Sequence, residues 1–311
     1  MKRIYDDANA PICVFGYNRP DHLLKCLDSL AACKEAKDSD LFVFCDGPKN
    51  TGMQDRCSAV AQIAVEEKEK GRFKNVEVKI SEKNNGLAKS IITGVTNVIE
   101  KYGKVIVIED DLVVSNYYLK YMNESLLYYS DDARIWSVTG YTYPLKALEN
   151  YDYDVYLSYR ICSYGWGTWI DRWEKVDWEV KDFPDIARSL KKIRAFNRGG
   201  NDMFRTLKKC VVKGMDVWAI KFSYAQYKNE MYTVYPKKTL IESNGYDGSG
   251  TNSQSTREYN KLKIDNSFSE YDFSGVQIDK KVAKEFERLY RISIKEWLKY
   301  RYSRWKKKCR K

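Results

Sequence analysis

The chain opens on a short apolar run at residues 11–15. A helical stripe follows, with Leu23, Leu24, Leu27 and Leu30 on one face and Pro20 and Asp21 in its first turn. A second apolar run at 41–45 stops at Asp46-Gly47-Pro48. A charged helical stretch over roughly 53–70 then leads to an alternating strand at 76–80, and Leu87, Ile91, Val95 and Val98 mark another helix. Next, Val105-Ile106-Val107-Ile108 runs straight into Glu109-Asp110-Asp111, followed by a Tyr-rich helix over about 116–130 and a strand at 135–139. Continuous apolar strands alternating with helices predict an α/β fold whose mostly parallel sheet is covered on both faces. From about residue 150 the pattern becomes irregular and aromatic. Helical periodicity returns near 281, with Val282, Phe286, Leu289, Trp297 and Trp305 along one stripe.

Ligands of such sheets gather at the carboxyl ends of the strands. That singles out Tyr17-Asn18-Arg19, Asp46-Gly47 and Glu109-Asp110-Asp111. Acidic residues at the end of a buried strand suit a hard cation such as Mg²⁺ or Mn²⁺, which takes carboxylate oxygens and keeps positions open for phosphate. The bland alternative is a solvated acidic strand end. Asp46 can accept hydrogen bonds from a base or ribose, although Asp-Gly-Pro is also a turn former in its own right. Arg19 can make a charge-assisted contact to a diphosphate. Asn85 and Gly86 open a helix whose N-terminus suits an anion.

Composition narrows the class. With 43% hydrophobic and 31% charged residues over 311 positions, the chain is ordinary for a globular protein. No run of 18 or more apolar residues is present, and Met1 to Asp7 lack the apolar stretch of a signal peptide. Eight cysteines without a C-x-x-C pair predict reduced, buried thiols and a cytoplasmic protein. The 25 tyrosines and eight tryptophans suit sugar faces and membrane interfaces, or simply an aromatic core. One histidine, His22, makes a Ser-His-Asp triad or a histidine metal site improbable. Asp247-Gly248-Ser249-Gly250-Thr251 lacks the G-K-[ST] of a phosphate loop and reads as a lid or a surface loop.

The net charge of +11 is concentrated. Residues 255–311 hold 17 Lys/Arg against 8 Asp/Glu, whereas the preceding 254 residues hold 37 against 35. A nucleic-acid enzyme carries its basic charge around the cleft, so no nucleic acid is expected as a partner. The stretch 295–311 mixes aromatics with nine basic residues and one acidic residue. It is expected to form a basic amphipathic helix on an anionic membrane surface, placing the protein peripherally on the inner face of the cell membrane. A solvated tail or a partner helix is the alternative.

In order along the chain, Val14-Phe15-Gly16-Tyr17-Asn18-Arg19-Pro20, Phe44-Cys45-Asp46-Gly47, Asn85-Gly86-Leu87-Ala88 and Val107-Ile108-Glu109-Asp110-Asp111-Leu112-Val113-Val114 resemble inverting GT-A glycosyltransferases. The nearest type is N-acetylglucosaminyltransferase I, with its bacterial sugar-transferase cousins. The similarity covers roughly residues 10–255. It implies a GT-A (Rossmann-like) domain over 1–254, divided into a nucleotide-sugar half (10–113) and an acceptor-side half (114–254), with a basic helical extension over 255–311. It also implies a UDP-sugar donor, a glycan or lipid-linked acceptor, and a role in surface polysaccharide synthesis. By resemblance Asp111 binds Mn²⁺ (or Mg²⁺), Asp110 lies near the ribose, Arg19 approaches the diphosphate and Asp46 meets uracil. The family's catalytic base falls on Asp202 in Gly200-Asn201-Asp202-Met203-Phe204-Arg205, where the flanking tryptophans and second acidic residue of the family motif are missing. Ser163-Tyr164-Gly165-Trp166-Gly167-Thr168-Trp169 resembles a signature of the bacterial cousins, with Tyr164 and Trp166 expected to line the sugar or acceptor pocket or to pack in the core. A sugar-phosphate nucleotidyltransferase is the rival enzyme, disfavoured by the absence of a G-x-G-T-R-type loop after the first strand. A non-enzymatic basic membrane-binding protein is the other rival.

Overall fold

The computed structural model describes residues 8–245, 262–267 and 270–290. Its strands are β1 (Ile12–Gly16), β2 (Asp40–Cys45), β3 (Asn75–Ile80), β4 (Lys104–Glu109), β5 (Leu112–Val114), β6 (Ile135–Thr139), β7 (Val155–Ser158), β8 (Trp166–Trp169), β9 (Tyr232–Pro236) and β10 (Ile241–Ser243). Its helices are α1 (Pro20–Ala31), α2 (Gln54–Lys70), α3 (Leu87–Tyr102), α4 (Tyr118–Tyr128), α5 (Ile170–Trp173), α6 (Phe183–Ala187), α7 (Leu190–Phe196), α8 (Met203–Lys213), α9 (Trp218–Lys228) and α10 (Lys280–Leu289). An eight-stranded sheet has the order β3-β2-β1-β4-β8-β6-β9-β7, and β5 pairs with β10 in a small antiparallel ribbon. Within the large sheet only β8 and β7 run against the others. This is the mostly parallel α/β sheet that the strand–helix alternation predicts.

The central strands are apolar from end to end because helices cover both faces. Ile12, Val14, Leu41, Val43, Ile106 and Ile108 pack with Leu23, Leu27 and Leu30 of α1, whereas Cys13, Phe15, Val105 and Val107 pack with Ile91, Val95 and Val98 of α3. Alternate side chains of one strand therefore serve two cores, which is why the runs carry no polar positions. The edge strand β3 is covered only in part, and it alone shows alternation. Each strand end is punctuated. Pro20 starts α1, and Gly71 and Gly103 end α2 and α3 in the left-handed conformation favoured at helix C-termini.

The aromatic second half closes the sheet. Trp166, Trp173, Trp218 and Phe222 form a stacked cluster with ring centroids 4.9–6.1 Å apart on the face that α3 also covers. Charge changes near residue 255, and described residues beyond it still reach the core. Phe273, Val276, Val282 and Phe286 join the main core, Tyr129 donates to the Phe273 carbonyl at 2.7 Å, and Glu285 accepts from the backbone amides of Lys146 and Ala147. Described residues between 273 and 286 thus pack on the same core as the sheet. The basic stretch 295–311 and the Asp247–Thr251 loop lie outside the described residues. The seven cysteines among the described residues are all free and buried. No helix among the described residues is long and apolar enough to cross a membrane.

Candidate functional site

Strand order reverses at β1, which has β2 on one side and β4 on the other, so the crevice of this sheet lies at the carboxyl ends of these three strands. The ladder extends past the strands. The Asp46 amide donates to the Gly16 carbonyl at 2.9 Å, and the Asp110 amide donates to Phe15 at 3.0 Å. Three adjacent strand tips therefore present Tyr17 to Arg19, Asp46, and Asp110 with Asp111 on one rim.

Arg19 stands between the two aspartates. Its Nη2 donates to Asp110 Oδ1, and its Nη1 donates to Asp111 Oδ2 at 3.1 Å. The Tyr17 amide adds a bond to Asp110 Oδ2 at 3.3 Å. The side chain of Asp110 is only 4% exposed, against 19% for Asp111, so Asp111 is the carboxylate that faces solvent. Burial pushes the Asp110 carboxyl up to about 6 against the opposing pull of Arg19. Burial also pushes Glu109 up to about 8, with the charges of Asp111 and Asp110 adding to the effect. The cluster has more acid than base and a partly open edge.

The chain returns to cover that edge. β10 pairs with β5, and the Asn244 amide donates to the Asp111 carbonyl at 2.8 Å. A β-carbon placed on Gly245 would lie 2.1 Å from Asp111 Oδ2, so a side chain cannot be accommodated there without moving the carboxylate. His22 Nε2 lies 3.4 Å from the Asn244 carbonyl, beside the same turn.

The donor set fits a hard divalent cation. Two neighbouring carboxylates already hold a positive group, while no group of three or more His, Cys, Asp or Glu among the described residues is arranged to hold a metal ion by itself. Mg²⁺ or Mn²⁺ held by one or two carboxylates completes its shell with phosphate oxygens and water, and is not caged by protein.

Asp46 does something the sequence does not reveal. Its Oδ1 accepts from the amides of Gly47 (3.0 Å) and Asn85 (2.8 Å), and its Oδ2 accepts from Asn84 Nδ2 and the Gly86 amide, both at 3.0 Å. Four donors occupy the roughly four lone-pair sites of a carboxylate. Asp46 is therefore the anchor of the 84–86 turn, and direct acceptance from uracil, the role implied by resemblance, would require it to give up one of these bonds. Gly86 caps α3 at φ +80°, a conformation open to glycine, and it brings the helix N-terminus to this rim. A cavity of about 220 Å³ lies alongside, with Phe44, Asp46, Ser81, Asn85 and Thr93 among its walls.

One residue at this rim carries no sequence signal. Asp216, in the exposed polar turn before α9, has its Oδ2 3.1 Å from where a β-carbon on Gly86 would stand. It lies 130 positions away in sequence, in no motif, and only the docking of α9 beside α3 reveals it.

Asp202 lies elsewhere. It precedes α8 without capping it, and both carboxylate oxygens accept from Arg160, at 2.8 and 3.0 Å. Arg160 follows β7, the edge strand four places from β4, which is about 19 Å at ~4.8 Å per strand. The structure thus does not bring Asp202 to the Arg19–Asp111 cluster. Trp166 is 1% exposed inside the tryptophan cluster, so of the two expected readings it takes core packing: β8 inserts between β4 and β6 and turns this side chain under α9. Tyr164 is half-buried, edge-on to Tyr141 at 5.0 Å, and its carbonyl accepts from Thr139 Oγ1. Asn18 donates to Met53 Sδ at 3.2 Å beside the rim, and the Tyr17 hydroxyl accepts from the Lys49 amide.

Among solved structures, the chain is similar to GalNAc-T7 crystallised with UDP, GalNAc and Mn²⁺. The TM-score is 0.47 at 11% identity, covering 77% of this chain and 44% of that one. It is also similar to S. aureus TarS 1–349, with a TM-score of 0.44 at 11% identity, covering 75% of this chain and 60% of that one. The matched region thus spans about half the length of those two chains. No protein-family model and no curated protein matches the sequence.

Proposed function

We propose that the chain is an inverting glycosyltransferase of the GT-A type, transferring a sugar from a UDP-sugar to a hydroxyl of a glycan or lipid-linked acceptor. The observation that carries this reading is the convergence of Arg19, Asp110 and Asp111 with the Asp46-anchored turn at one topological switch point. A nucleoside diphosphate needs a cation-binding carboxylate, a cationic group and an amide-rich helix N-terminus within one crevice, and all three chemistries are present here.

In this reading Asp111, with Asp110 behind it, would hold Mn²⁺ or Mg²⁺, which would supply Lewis-acid stabilisation of the charge building on the departing diphosphate. Arg19 exchanges its bond to Asp111 for a diphosphate oxygen. Tyr17 and Asn18 flank the nucleoside, and the first turn of α3, which follows Gly86, faces it from the other side of the crevice. An inverting transfer also needs a carboxylate to take the acceptor proton. Asp202 is one candidate, but two hydrogen bonds from Arg160 occupy both its oxygens. Asp216 beside Gly86 has the better position. The 295–311 stretch would keep the enzyme on an anionic membrane face, where lipid-linked acceptors reside.

The test is a turnover screen of UDP-sugars with and without Mn²⁺. UDP release from one donor, lost in EDTA, supports the reading; turnover of no UDP-sugar with any acceptor or water contradicts it. Asp216→Asn and Asp202→Asn then identify the base. The true base variant loses about 10²–10⁴-fold in kcat with UDP binding retained.

A further inference from the structure

A second cavity, of about 290 Å³, lies at the opposite end of the sheet. Its walls include Tyr159, Phe196, Arg198, Tyr227, Glu230 and Tyr232. Tyr232 is the first residue of β9, and Ser158, just before Tyr159, pairs with Thr233 at the end of β7. β9 runs parallel to β6, and β6 runs in the direction of β4, since both oppose β8. The cavity is therefore at the amino ends of the parallel strands, whereas Asp110 and Asp111 are at the carboxyl ends. The two sites are separate.

The lining has a distinctive chemistry. Tyr159 and Tyr232 meet edge to face at 5.5 Å, Phe196 and Tyr227 lie 5.3 Å apart, and the Arg198 guanidinium covers the Tyr159 ring at 4.4 Å. Phe196 is buried as the floor, while the three tyrosines are half-exposed. One guanidinium and one carboxylate, from Arg198 and Glu230, complete the lining. Aromatic faces pack against the C–H face of a pyranose ring, and a planar cation and a planar anion can each pair with vicinal hydroxyls, which both donate and accept. The volume is at the lower end of small-molecule sites, about 300 Å³ and upward.

Glu230 supplies an independent observation. It has φ +55°, a left-handed conformation that disfavours side chains, just past the end of α9. Its amide donates to Tyr227 at 3.1 Å and the Met231 amide donates to Gln226 at 3.1 Å, the closing pattern of a helix terminus where glycine is the favoured residue. A carboxylate is thus held at the cavity in a conformation that costs folding energy, and such strain gathers at functional positions.

We propose that this cavity is an accessory saccharide site that holds a neutral pyranose unit of a glycan, distinct from the candidate donor site. It does not depend on the catalytic reading, because saccharide binding is measured without a donor. The experiment is ligand-observed NMR and calorimetry with maltotriose, cellotriose and chitotriose on wild type, Glu230→Gly and Tyr227→Ala. Glu230→Gly removes the carboxylate while relieving the backbone, so it is expected to raise Tm and yet weaken trisaccharide binding at least ten-fold, with UDP binding unchanged. Tyr227→Ala is expected to weaken the same trisaccharide similarly. Failure of all three trisaccharides to bind wild type, or equal binding by wild type and Glu230→Gly, overturns the proposal. Trisaccharide binding that depends on Glu230 in a protein that does not bind UDP leaves the accessory site standing and removes the glycosyltransferase reading.

Discussion

Arg19 donates from Nη1 to Asp111 Oδ2 at 3.1 Å, and its other terminal nitrogen is on Asp110, so one side chain bridges both carboxylates at the tip of β4. In this arrangement a guanidinium stands next to where a divalent cation would bind. Metal and Arg19 would then be alternative partners for Asp111, and binding of one frees the other for phosphate.

Removing Arg19 should expose that competition. Arg19→Met leaves the nearly buried Asp110 unpaired, and breaking a buried ion pair on one side costs about 3 kcal/mol or more. Metal-free Arg19→Met is therefore expected to melt well below wild type, and saturating Mn²⁺ should raise its Tm by more than it raises that of wild type. Scanning calorimetry with Mn²⁺ and with EDTA measures both; equal shifts would show that Arg19 and the metal do not share a site.

The acidic cluster also predicts a pH dependence for the metal-free protein. Glu109 is held up to about 8, above its ordinary 4.5, chiefly by burial. A raised folded-state value means that the folded protein holds the proton more tightly than the unfolded chain. That contribution is complete below about 4.5 and is lost as pH rises through about 8. Between these limits the slope approaches about 1.4 kcal/mol per pH unit for one proton. Wild type in EDTA should lose stability from pH 5 to 8 in denaturant titrations, and Glu109→Gln should flatten the profile.

Asp46→Ala removes the acceptor of three backbone amides and one side-chain amide. Hydrogen bonds to a charged group contribute roughly 1.5–3 kcal/mol, so the 84–86 turn should lose its order. UDP affinity is expected to fall about 10- to 100-fold, with the far-ultraviolet circular dichroism of the fold retained. Unchanged UDP affinity would separate this turn from the nucleotide site.

Gly245→Ala tests the approach of the returning segment. A β-carbon there would meet Asp111 Oδ2 at 2.1 Å, so the carboxylate or the turn must shift. Mn²⁺ stabilisation should fall in the variant while melting in EDTA changes less; the opposite pattern would make Gly245 a folding position only.

The strands were legible because burial on both faces leaves unbroken apolar runs at 12–15, 41–45 and 105–108, and the polar residues that follow them mark the rim without ambiguity. Arg19, Asp110 and Asp111 are three such residues, and they meet. The roles within the rim were less legible. Nothing in Asp-Gly-Pro indicates that Asp46 is occupied by the distant Asn84, Asn85 and Gly86. Trp166 has the same local pattern whether it faces a pocket or a core, and the antiparallel insertion of β8 decides the matter. Asp202 and Asp216 are both acids next to a helix start. Their difference, a partner in Arg160 for one and a neighbour in Gly86 for the other, exists only in the tertiary packing.

In the proposed function, Asp111 and its neighbours bind a nucleoside diphosphate through a divalent cation. Calorimetric titration of UDP into wild type and Asp111→Asn, each in Mn²⁺ and in EDTA, tests it most directly. UDP is expected to bind wild type at least ten-fold more tightly in Mn²⁺ than in EDTA, and Asp111→Asn is expected to abolish the difference. Equal UDP affinity in Mn²⁺ and EDTA, or a metal effect that survives in Asp111→Asn, would contradict it.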